Sequence, residues 1–263
     1  MNSVRRNFDA SELRRNKQLN GDRSYQQCTL SLMDTIRTEI QFDQNGVSNF
    51  FYDYRNGAKK YVKEGDLGWS QLSHSLDSIR TDGKNKTYDC ILGISGGVDS
   101  TYLALNAKKW GLRTLCVHFD NGWNSELATE NIENIVNRCG FDLHTEVMDW
   151  NEFKKLQKAY FSANVIDIEA VTDIGIFAAL DRITKKFDCY HILDGRNFKT
   201  ESVLGNWTNK NPSNLLNIAE AFSAWPIRKF PMKSRWDVRR LNQMQARIKK
   251  HNLLDWIAYD KKK

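Results

Sequence analysis

The chain has 263 residues, of which 40% are hydrophobic and 27% charged, and its formal net charge at pH 7 is +7. This composition is that of an ordinary globular protein and excludes a fibrous or intrinsically disordered chain. No apolar run approaches the roughly 18 residues that cross a bilayer, and the N-terminus has no apolar stretch typical of a signal peptide. We therefore expect a soluble cytoplasmic protein without membrane association.

The positive charge is concentrated at the C-terminus. Residues 226–263 hold 12 Lys and Arg against three Asp, so the preceding residues are slightly acidic. We predict a basic helical segment here, with the helix running from Asp237 to Asn252. Its charged face is either a surface for phosphate or a partner, or simply a solvated face.

The N-terminal quarter of the chain divides into two predicted regions. Residues 1–24 are polar, lack a sustained period and predict a flexible arm. In residues 25–88, an Asn45-Gly46 turn between two short apolar segments, residues 40–42 and 47–50, predicts a hairpin. A helix is predicted from Gly65 to Arg80. Its expected inward residues are Leu67, Leu72 and Leu76.

Residues 89–225 alternate between strand and helix patterns. The predicted strands are Cys90–Ile94, Thr114–Val117, Leu143–Met148 and Tyr190–Leu193. The apolar positions of the helices between them include Ile132, Ile135, Val136, Cys139, Phe153, Leu156, Tyr160, Phe161, Ile176, Leu180, Ile183 and Phe187. Ser125 and Gly140 are predicted to begin and end one of these helices. The pattern predicts an α/β fold, a parallel twisted sheet with helices on both faces, preceded by a small N-terminal knob.

The residues directly after the first strand carry a potential phosphate site. They are Ser95-Gly96-Gly97-Val98-Asp99-Ser100, and they lead straight into a helix. Adjacent glycines let backbone N–H groups converge on an anion, and the helix N-terminus adds its positive dipole end. Ser95 and Ser100 can donate to the same phosphate, and Asp99 either caps the helix or holds a magnesium ion.

This SGGxDS stretch resembles the PP-loop of the ATP pyrophosphatases, which have an adenine nucleotide alpha hydrolase-like fold. The resemblance implies that ATP is cleaved between its α- and β-phosphates with Mg²⁺ and that AMP is placed on an acceptor oxygen. An amine, ammonia or a sulfur donor then displaces AMP. It also implies nucleotide binding by Ser95, Gly96, Gly97, Asp99 and Ser100, with Ser95 and Asp99 in catalytic roles.

A second resemblance follows the fourth strand. Residues 194–201 look like the GTxNxSE stretch of NAD synthetases, on the strength of Asn197, Thr200 and Glu201, although Arg196 stands where that stretch has Thr. The resemblance implies that Asn197 contacts the nucleotide and that Glu201 shares the magnesium ion with Asp99 as a catalytic residue. The alternative is a helix N-cap followed by a surface acid.

The stretch HFDNGWNSE at residues 118–126, with Asp149-Trp150 and Thr172-Asp173, carries a resemblance to one particular family of PP-loop enzymes. It is similar to the N-acetyl sugar amidotransferases, PP-loop enzymes of lipopolysaccharide O-antigen and flagellin sugar biosynthesis. These convert the acetamido group of an N-acetyl sugar into an acetamidino group, with ATP activating the amide oxygen and ammonia replacing AMP.

For the binding residues, we predict that Asp120 contacts the nucleotide and that Trp123, Asp173 and Thr200 contact the substrate. Core packing for Trp123 and helix capping for Asp173 are the alternatives.

Ammonia must come from a partner, because the chain has no GxCxG-type glutaminase nucleophile. The resemblance implies a separate glutaminase subunit related to those of histidine biosynthesis, with a cyclase-like subunit as a further candidate. The basic segment after Pro226 is one candidate docking surface. No membrane partner is expected.

Two features depart from the sugar amidotransferases. Their N-terminal CxxC–hairpin–CxxC pattern corresponds here to Cys28, Ser31, Ser48 and Phe51, which do not supply four zinc ligands. We therefore predict no zinc. The sequence also stops at Lys263 where that family continues, which predicts a short paralogue, a split gene or a truncated product.

Two other functions stay open. A tRNA-modifying PP-loop enzyme would suit the basic C-terminus, although the slightly acidic remainder disfavours nucleic-acid binding. A catalytically inactive ATP-binding subunit would suit the lost zinc ligands, although the retained loop residues disfavour it.

The five cysteines are odd in number and widely spaced, so we expect no disulfide framework, and the five histidines show no metal-ligand spacing.

Overall fold

The structure is a computed structural model that describes residues 24–36, 39–165, 167–202, 212–230 and 247–256. These residues fall into two compact units. The first contains the described residues up to Tyr61 together with residues 199–202, and the second contains the others. The predicted arm at residues 1–24 lies outside the described residues except for Ser24.

The first unit is built on short turns and one helix. Single antiparallel bridges join Gln27 to Asp34 and Phe42 to Ser48. The Asn45-Gly46 turn is confirmed, with Gly46 at a φ of +73°. The predicted second strand is wrong beyond Ser48, because helix α1 occupies Asn49–Tyr61.

The second unit alternates helices and strands. Helix α2 spans Gly65–Gly83, and the following elements are β1 (Cys90–Gly93), α3 (Val98–Lys109), β2 (Thr114–Asp120), α4 (Glu126–Cys139) and β3 (Asp142–Val147). Then come α5 (Trp150–Ser162), α6 (Ala170–Lys186), β4 (His191–Leu193), α7 (Phe198–Glu201), α8 (Pro212–Ala221), β5 (Lys249–His251) and a 3-10 turn at Leu253–Asp255. Helix α7 crosses the boundary between the two units.

The five strands form one sheet in the order β3-β2-β1-β4-β5, and every pairing is parallel. Ile91 pairs with both Leu115 and Ile192, which places β1 at the centre. The predicted parallel α/β fold is confirmed. The helix predicted from Asp237 to Asn252 is wrong at its C-terminal end, where residues 249–251 form β5, and residues 237–246 lie outside the described residues.

Both faces of the sheet are covered by helices because alternate strand residues point to opposite sides. On one face, Leu92 and Cys116 join a core with apolar residues of α2, α3 and α4. On the other face, Ile91 and Leu115 pack with Leu180 of α6. Strand β3 is largely exposed, so the buried strand predicted at residues 143–148 is confirmed in position but not in burial.

A third core lies between α5, α6 and α8, and it includes Phe153, Tyr160 and Ile174. The prediction that Leu67 and Phe161 face inward is wrong, because each side chain is 55% exposed. In both helices the other predicted positions do reach the core. Leu67 and Phe161 lie on their flanks, where no neighbouring element among the described residues covers them.

The helix ends follow the predicted chemistry. Ser125 Oγ accepts a hydrogen bond from Ala128 N at the start of α4, at 3.2 Å. Gly140 ends this helix in the left-handed conformation, at a φ of +68°. Asp149 caps α5 by accepting from Glu152 N at 3.1 Å.

All five cysteines are buried free thiols. Among the described residues, no helix is both long enough and apolar enough to span a membrane.

Candidate functional site

The Ser95–Ser100 loop joins β1 to α3 at the carboxyl edge of the sheet, as the sequence predicts. Gly96 adopts a φ of +76°, and a methyl group on it would lie 2.3 Å from the carbonyl oxygen of Ala128 in α4. Asn131 of the same helix donates from Nδ2 to Gly96 O at 3.2 Å. Helix α4 thus fixes the back of the loop, and only glycine fits at residue 96.

Two serine hydroxyls meet inside the loop. Ser95 Oγ and Ser100 Oγ are 3.4 Å apart. Ser100 Oγ donates to Gly97 O at 3.2 Å, and Gly97 N donates to Ser95 Oγ at 3.4 Å. These long hydrogen bonds are weak, so an anion can replace them. The N-terminus of α3 adds unsatisfied backbone N–H groups and a positive dipole end beside the hydroxyls.

Asp99 lies in the first turn of α3 and carries a buried oxygen. Its Oδ1 has no hydrogen-bond partner among the described residues. An unpaired buried carboxylate oxygen is costly, and a hard cation such as Mg²⁺ takes oxygen ligands of this kind. The residue present therefore fits the predicted magnesium ion.

The end of β2 is braced against the loop by His118. This buried imidazole places Nδ1 3.1 Å from the carbonyl oxygen of Ile94, the residue before Ser95. Its Nε2 lies 3.2 Å from the side-chain amide of Asn124, which also donates to Asp120 Oδ1 at 2.8 Å. His118 is thus a positioning residue that the sequence analysis did not single out, although it opens the HFDNGWNSE stretch.

Asp120 and Asn121 order the turn after β2. Asp120 Oδ1 accepts from Gly122 N at 2.9 Å, and Asn121 Oδ1 accepts from Trp123 N at 3.1 Å. The Asn121 amide also donates to Thr172 Oγ1 at 3.3 Å, which ties this turn to the first residues of α6. The predicted sites at Asp120 and the Thr172-Asp173 stretch therefore belong to one region.

Trp123 does not pack in the core. Its side chain is 64% exposed and meets the Trp150 ring edge-on, with ring centroids 5.6 Å apart. The core-packing alternative is wrong, because the turn carries the indole out over the start of α5. The capping alternative for Asp173 is also wrong: the N-cap position of α6 is Glu169, and Asp173 lies in the first turn.

The end of β4 adjoins the loop. A methyl group on Gly195 would lie 3.4 Å from Cα of Ser100. Burial raises the pKa of Asp194, but hydrogen bonds from Arg196 and its charge outweigh burial and lower the pKa below its ordinary value. Asn197 is buried, at 6% exposure. The structure thus brings the residue 194–197 stretch beside the start of α3.

Thr200 and Glu201 end helix α7, and they group with the first unit rather than with the loop. Within that unit, Tyr54 Oη donates to Lys199 O at 3.2 Å. A magnesium ion shared by Asp99 and Glu201, and substrate contact by Thr200, stay predictions.

The positions that correspond to the zinc-binding pattern of the sugar amidotransferases lie together in the first unit. Ser48 N donates to Cys28 Sγ at 3.2 Å, and Phe51 N donates to Ser48 Oγ at 3.3 Å. Burial raises the pKa of the Cys28 thiol, but hydrogen bonds from Ser31 and Ser48 outweigh it and bring the pKa to about 7. Serine hydroxyls and a backbone N–H therefore occupy the surroundings of Cys28.

A cavity of about 510 Å³ lies between α3 and α4, beside the loop. Its lining includes both loop glycines, the apolar side chains of Tyr102 and Leu105, and the polar side chains of Asn131 and Arg138. The loop therefore has open space on its helix side.

Three solved structures share the general arrangement at low similarity. The NH₃-dependent NAD synthetase of Campylobacter jejuni, solved with nitrate, has 13% identity and a TM-score of 0.40, and the match covers 68% of this chain and 94% of that one. The glutamine-dependent NAD⁺ synthetase of Acinetobacter baumannii, solved with ADP, has 16% identity and a TM-score of 0.42, and the match covers 59% of this chain and 32% of that one. The NMN synthetase of Francisella tularensis has 12% identity and a TM-score of 0.39, and the match covers 71% of this chain and 90% of that one. These likenesses are too distant to assign an activity. Comparison with curated proteins gives no significant match.

The family comparison is more informative. Residues 89–245 match the family described as queuosine biosynthesis protein QueC. The match covers more than half of the chain and includes the loop, the turn after β2 and the end of β4. It confirms the resemblance to the PP-loop ATP pyrophosphatases at the level of the superfamily. The chain therefore belongs to the QueC family of PP-loop proteins.

Proposed function

We propose that the protein is an ATP-dependent amidotransferase that activates the acetamido oxygen of an N-acetyl sugar and replaces it with ammonia. The observation that carries the ATP-dependent activation step is the Ser95–Ser100 loop, where two hydroxyls, a helix N-terminus and the buried Asp99 oxygen converge. Family membership supports ATP as the substrate.

In the proposed reaction, the acetamido oxygen bonds to the α-phosphorus of ATP while the bond to the β-phosphate oxygen breaks and pyrophosphate leaves. Ammonia adds to the amide carbon, AMP departs with the oxygen, and loss of a proton gives the acetamidino group.

The chain's part is to bind and orient the ATP phosphates. The N–H groups at the start of α3 and the Ser95 and Ser100 hydroxyls face charge that grows on the leaving phosphates. Asp99, and in our proposal Glu201, would hold Mg²⁺, which when bound neutralises phosphate charge.

The sugar would lie along the exposed rim after β2. Asn121 presents an amide group there, and Trp123 offers an apolar ring face. We further propose that a separate glutaminase subunit supplies ammonia and that this reaction serves surface polysaccharide or flagellin glycans. The similarity of residues 118–126 to the sugar amidotransferases supports the choice of substrate.

A second candidate is a step in queuosine biosynthesis or tRNA modification. The specific observation in its favour is the family match over residues 89–245. Both candidates use the same loop for ATP, so they differ in the acceptor and not in the activation step.

The test is pyrophosphate and AMP release by the purified protein with ATP, Mg²⁺, ammonium and a nucleotide-linked N-acetyl sugar acid. We expect turnover and a product one mass unit lighter than the acetamido sugar, as replacement of oxygen by NH requires. The matched control is the same sugar carrying a free amine instead of the acetamido group. Stimulation by tRNA without sugar turnover would favour the second candidate, and ATP binding without AMP formation in the presence of the sugar would contradict the sugar amidotransferase.

A further inference from the structure

A second cavity lies at the amino edge of the sheet, opposite the Ser95–Ser100 loop. Its volume is about 520 Å³, within the range of roughly 300–1,000 Å³ typical of small-molecule sites. It lies among the end of α2, the start of β4 and the start of β5. The lining residues are Asp82, Lys86, Tyr190, His191, Arg247 and Lys249.

Cationic side chains dominate this lining. Lys86, Arg247 and Lys249 share the lining with one carboxylate, that of Asp82, and a second carboxylate, that of Asp188, pairs with Lys86 Nζ at 3.1 Å. Lys249 Nζ lies 2.6 Å from Asp82 Oδ2. Lys86 Nζ donates to Asp188 O at 2.7 Å, so both ammonium groups are held in place by carboxylate or carbonyl oxygens. Arg247 forms no ion pair with any residue that the structure describes, and its guanidinium keeps its donors available.

The inner wall of the cavity is polar and hydrogen-bonded. The buried His191 has Nε2 2.9 Å from Asp82 Oδ2 and Nδ1 2.9 Å from His251 Nε2. These contacts connect α2, β4 and β5 around the cavity. Burial lowers the pKa of His191, and the charges of Lys249 and Lys86 add to this effect, while the hydrogen bond to Asp82 and its charge oppose it.

We propose that this cavity binds the phosphate group of a small phosphorylated molecule. Three cationic side chains, Lys86 after α2 and Arg247 and Lys249 at the start of β5, suit a dianion with several oxygens better than a single carboxylate, which one arginine can bind. The Tyr190 ring, with the Lys86 ammonium 5.7 Å from its centroid, forms an apolar side on which the rest of the ligand packs. The volume of about 520 Å³ suits a small molecule rather than an extended polymer.

The test is calorimetric titration of the full-length protein with inorganic phosphate at low ionic strength. We expect Arg247→Gln to weaken one binding event by roughly tenfold or more, since it removes a charge-assisted hydrogen-bond donor. Lys84→Gln is the matched control, because it removes the same charge from an exposed residue at the end of α2 outside the cavity. The control should bind phosphate as the wild type does.

Phosphate binding at the Ser95–Ser100 loop does not obscure the result, because that loop is unchanged in both variants and contributes equally to their titrations. The proposal is overturned if Arg247→Gln and Lys84→Gln bind phosphate equally. It is also overturned if a short single-stranded RNA binds in an Arg247-dependent manner while phosphate does not. Lys86→Gln provides a second variant for the same comparison should Arg247→Gln fold poorly.

Discussion

The two glycines of the loop differ in their surroundings. Gly96 has a positive φ and faces the backbone of Ala128, whereas Gly97 has a φ of −80° and only the flexible Ser95 hydroxyl nearby, at 3.4 Å. A side chain at residue 96 must therefore strain the backbone and displace α4, while one at residue 97 meets ordinary contact distances.

We predict that Gly96→Ala lowers the free energy of unfolding by roughly 2 kcal/mol or more, whereas Gly97→Ala changes it by less than about 1 kcal/mol. Chemical denaturation of both variants, followed by circular dichroism, measures the difference. Equal stability of the two variants would contradict the packing of Gly96 against Ala128.

Asp99 gives a second prediction. Asp99→Asn keeps the size of the side chain but removes the negative charge from its buried oxygen. If that oxygen holds magnesium, turnover of ATP should fall by more than about tenfold, and more magnesium should be needed for half-maximal rate. Pyrophosphate release at varied magnesium concentration measures both effects. Near-wild-type turnover would rule out the metal role.

Site residues were predictable where local sequence decides their conformation. Ser95–Ser100 follow a buried strand and begin a helix, so their place at the sheet edge follows from the pattern alone. The exposure of Trp123 was not predictable, because it depends on how the turn after β2 meets the start of α5. The same holds for His118, whose role becomes visible only when Ile94 and Asn124 are neighbours in space.

Among the elements, the start of α5 has an unusual partner. The Glu152 carboxylate accepts hydrogen bonds from three consecutive backbone N–H groups, those of Arg228, Lys229 and Phe230, at 2.7, 2.7 and 2.8 Å. Lys229 Nζ lies 2.7 Å from Asp149 and lowers the pKa of that carboxyl. One helix end therefore holds a distant segment through charge-assisted bonds to its main chain.

We predict that Glu152→Gln destabilises the protein by about 2–4 kcal/mol, because the amide presents one acceptor and one donor group to three N–H donors. Glu133→Gln on the exposed face of α4 is the matched control and should change stability by less than about 0.5 kcal/mol. Thermal unfolding compares the two variants. A similar melting temperature for both would show that the contact of Glu152 with residues 228–230 contributes little.

The elements that the pattern predicted well are those with their own periodicity. Strands β1 and β2 are short apolar runs, and α4 has both an apolar stripe and end signals, so each was identifiable locally. Strand β5 was not identifiable, because Lys249, Lys250 and His251 contain no apolar run. They form a strand only because β4 provides hydrogen-bonding partners, and a tertiary contact of that kind leaves no local signal.

At the scale of the whole molecule, stability depends on pH through a buried histidine pair. The His191 and His251 rings stack with centroids 5.1 Å apart. Burial and the neighbouring charges of His191 and Lys249 lower the pKa of His251 from 6.5 to about 4. The unfolded chain therefore binds more protons than the folded protein between these pH values, and the resulting stabilisation is complete above pH 6.5 and lost as the pH falls toward 4.

We expect the melting temperature of the wild type to fall more steeply between pH 6.5 and about 4 than that of His251→Gln, which cannot titrate. His74→Gln, at an exposed position of α2, is the control and should follow the wild type. Melting curves at several pH values test this, and parallel curves for wild type and His251→Gln would contradict it.

The exposed indole of Trp123 has a practical consequence. Because this ring projects from the turn after β2 and touches Trp150 only edge-on, its fluorescence is sensitive to whatever enters the rim of the sheet. The sequence contains eight tryptophans, so the emission of Trp123 has to be separated from that of the others. The molecule thus contains its own optical probe of ligand arrival, and Trp123→Phe identifies the share of the emission change that belongs to it.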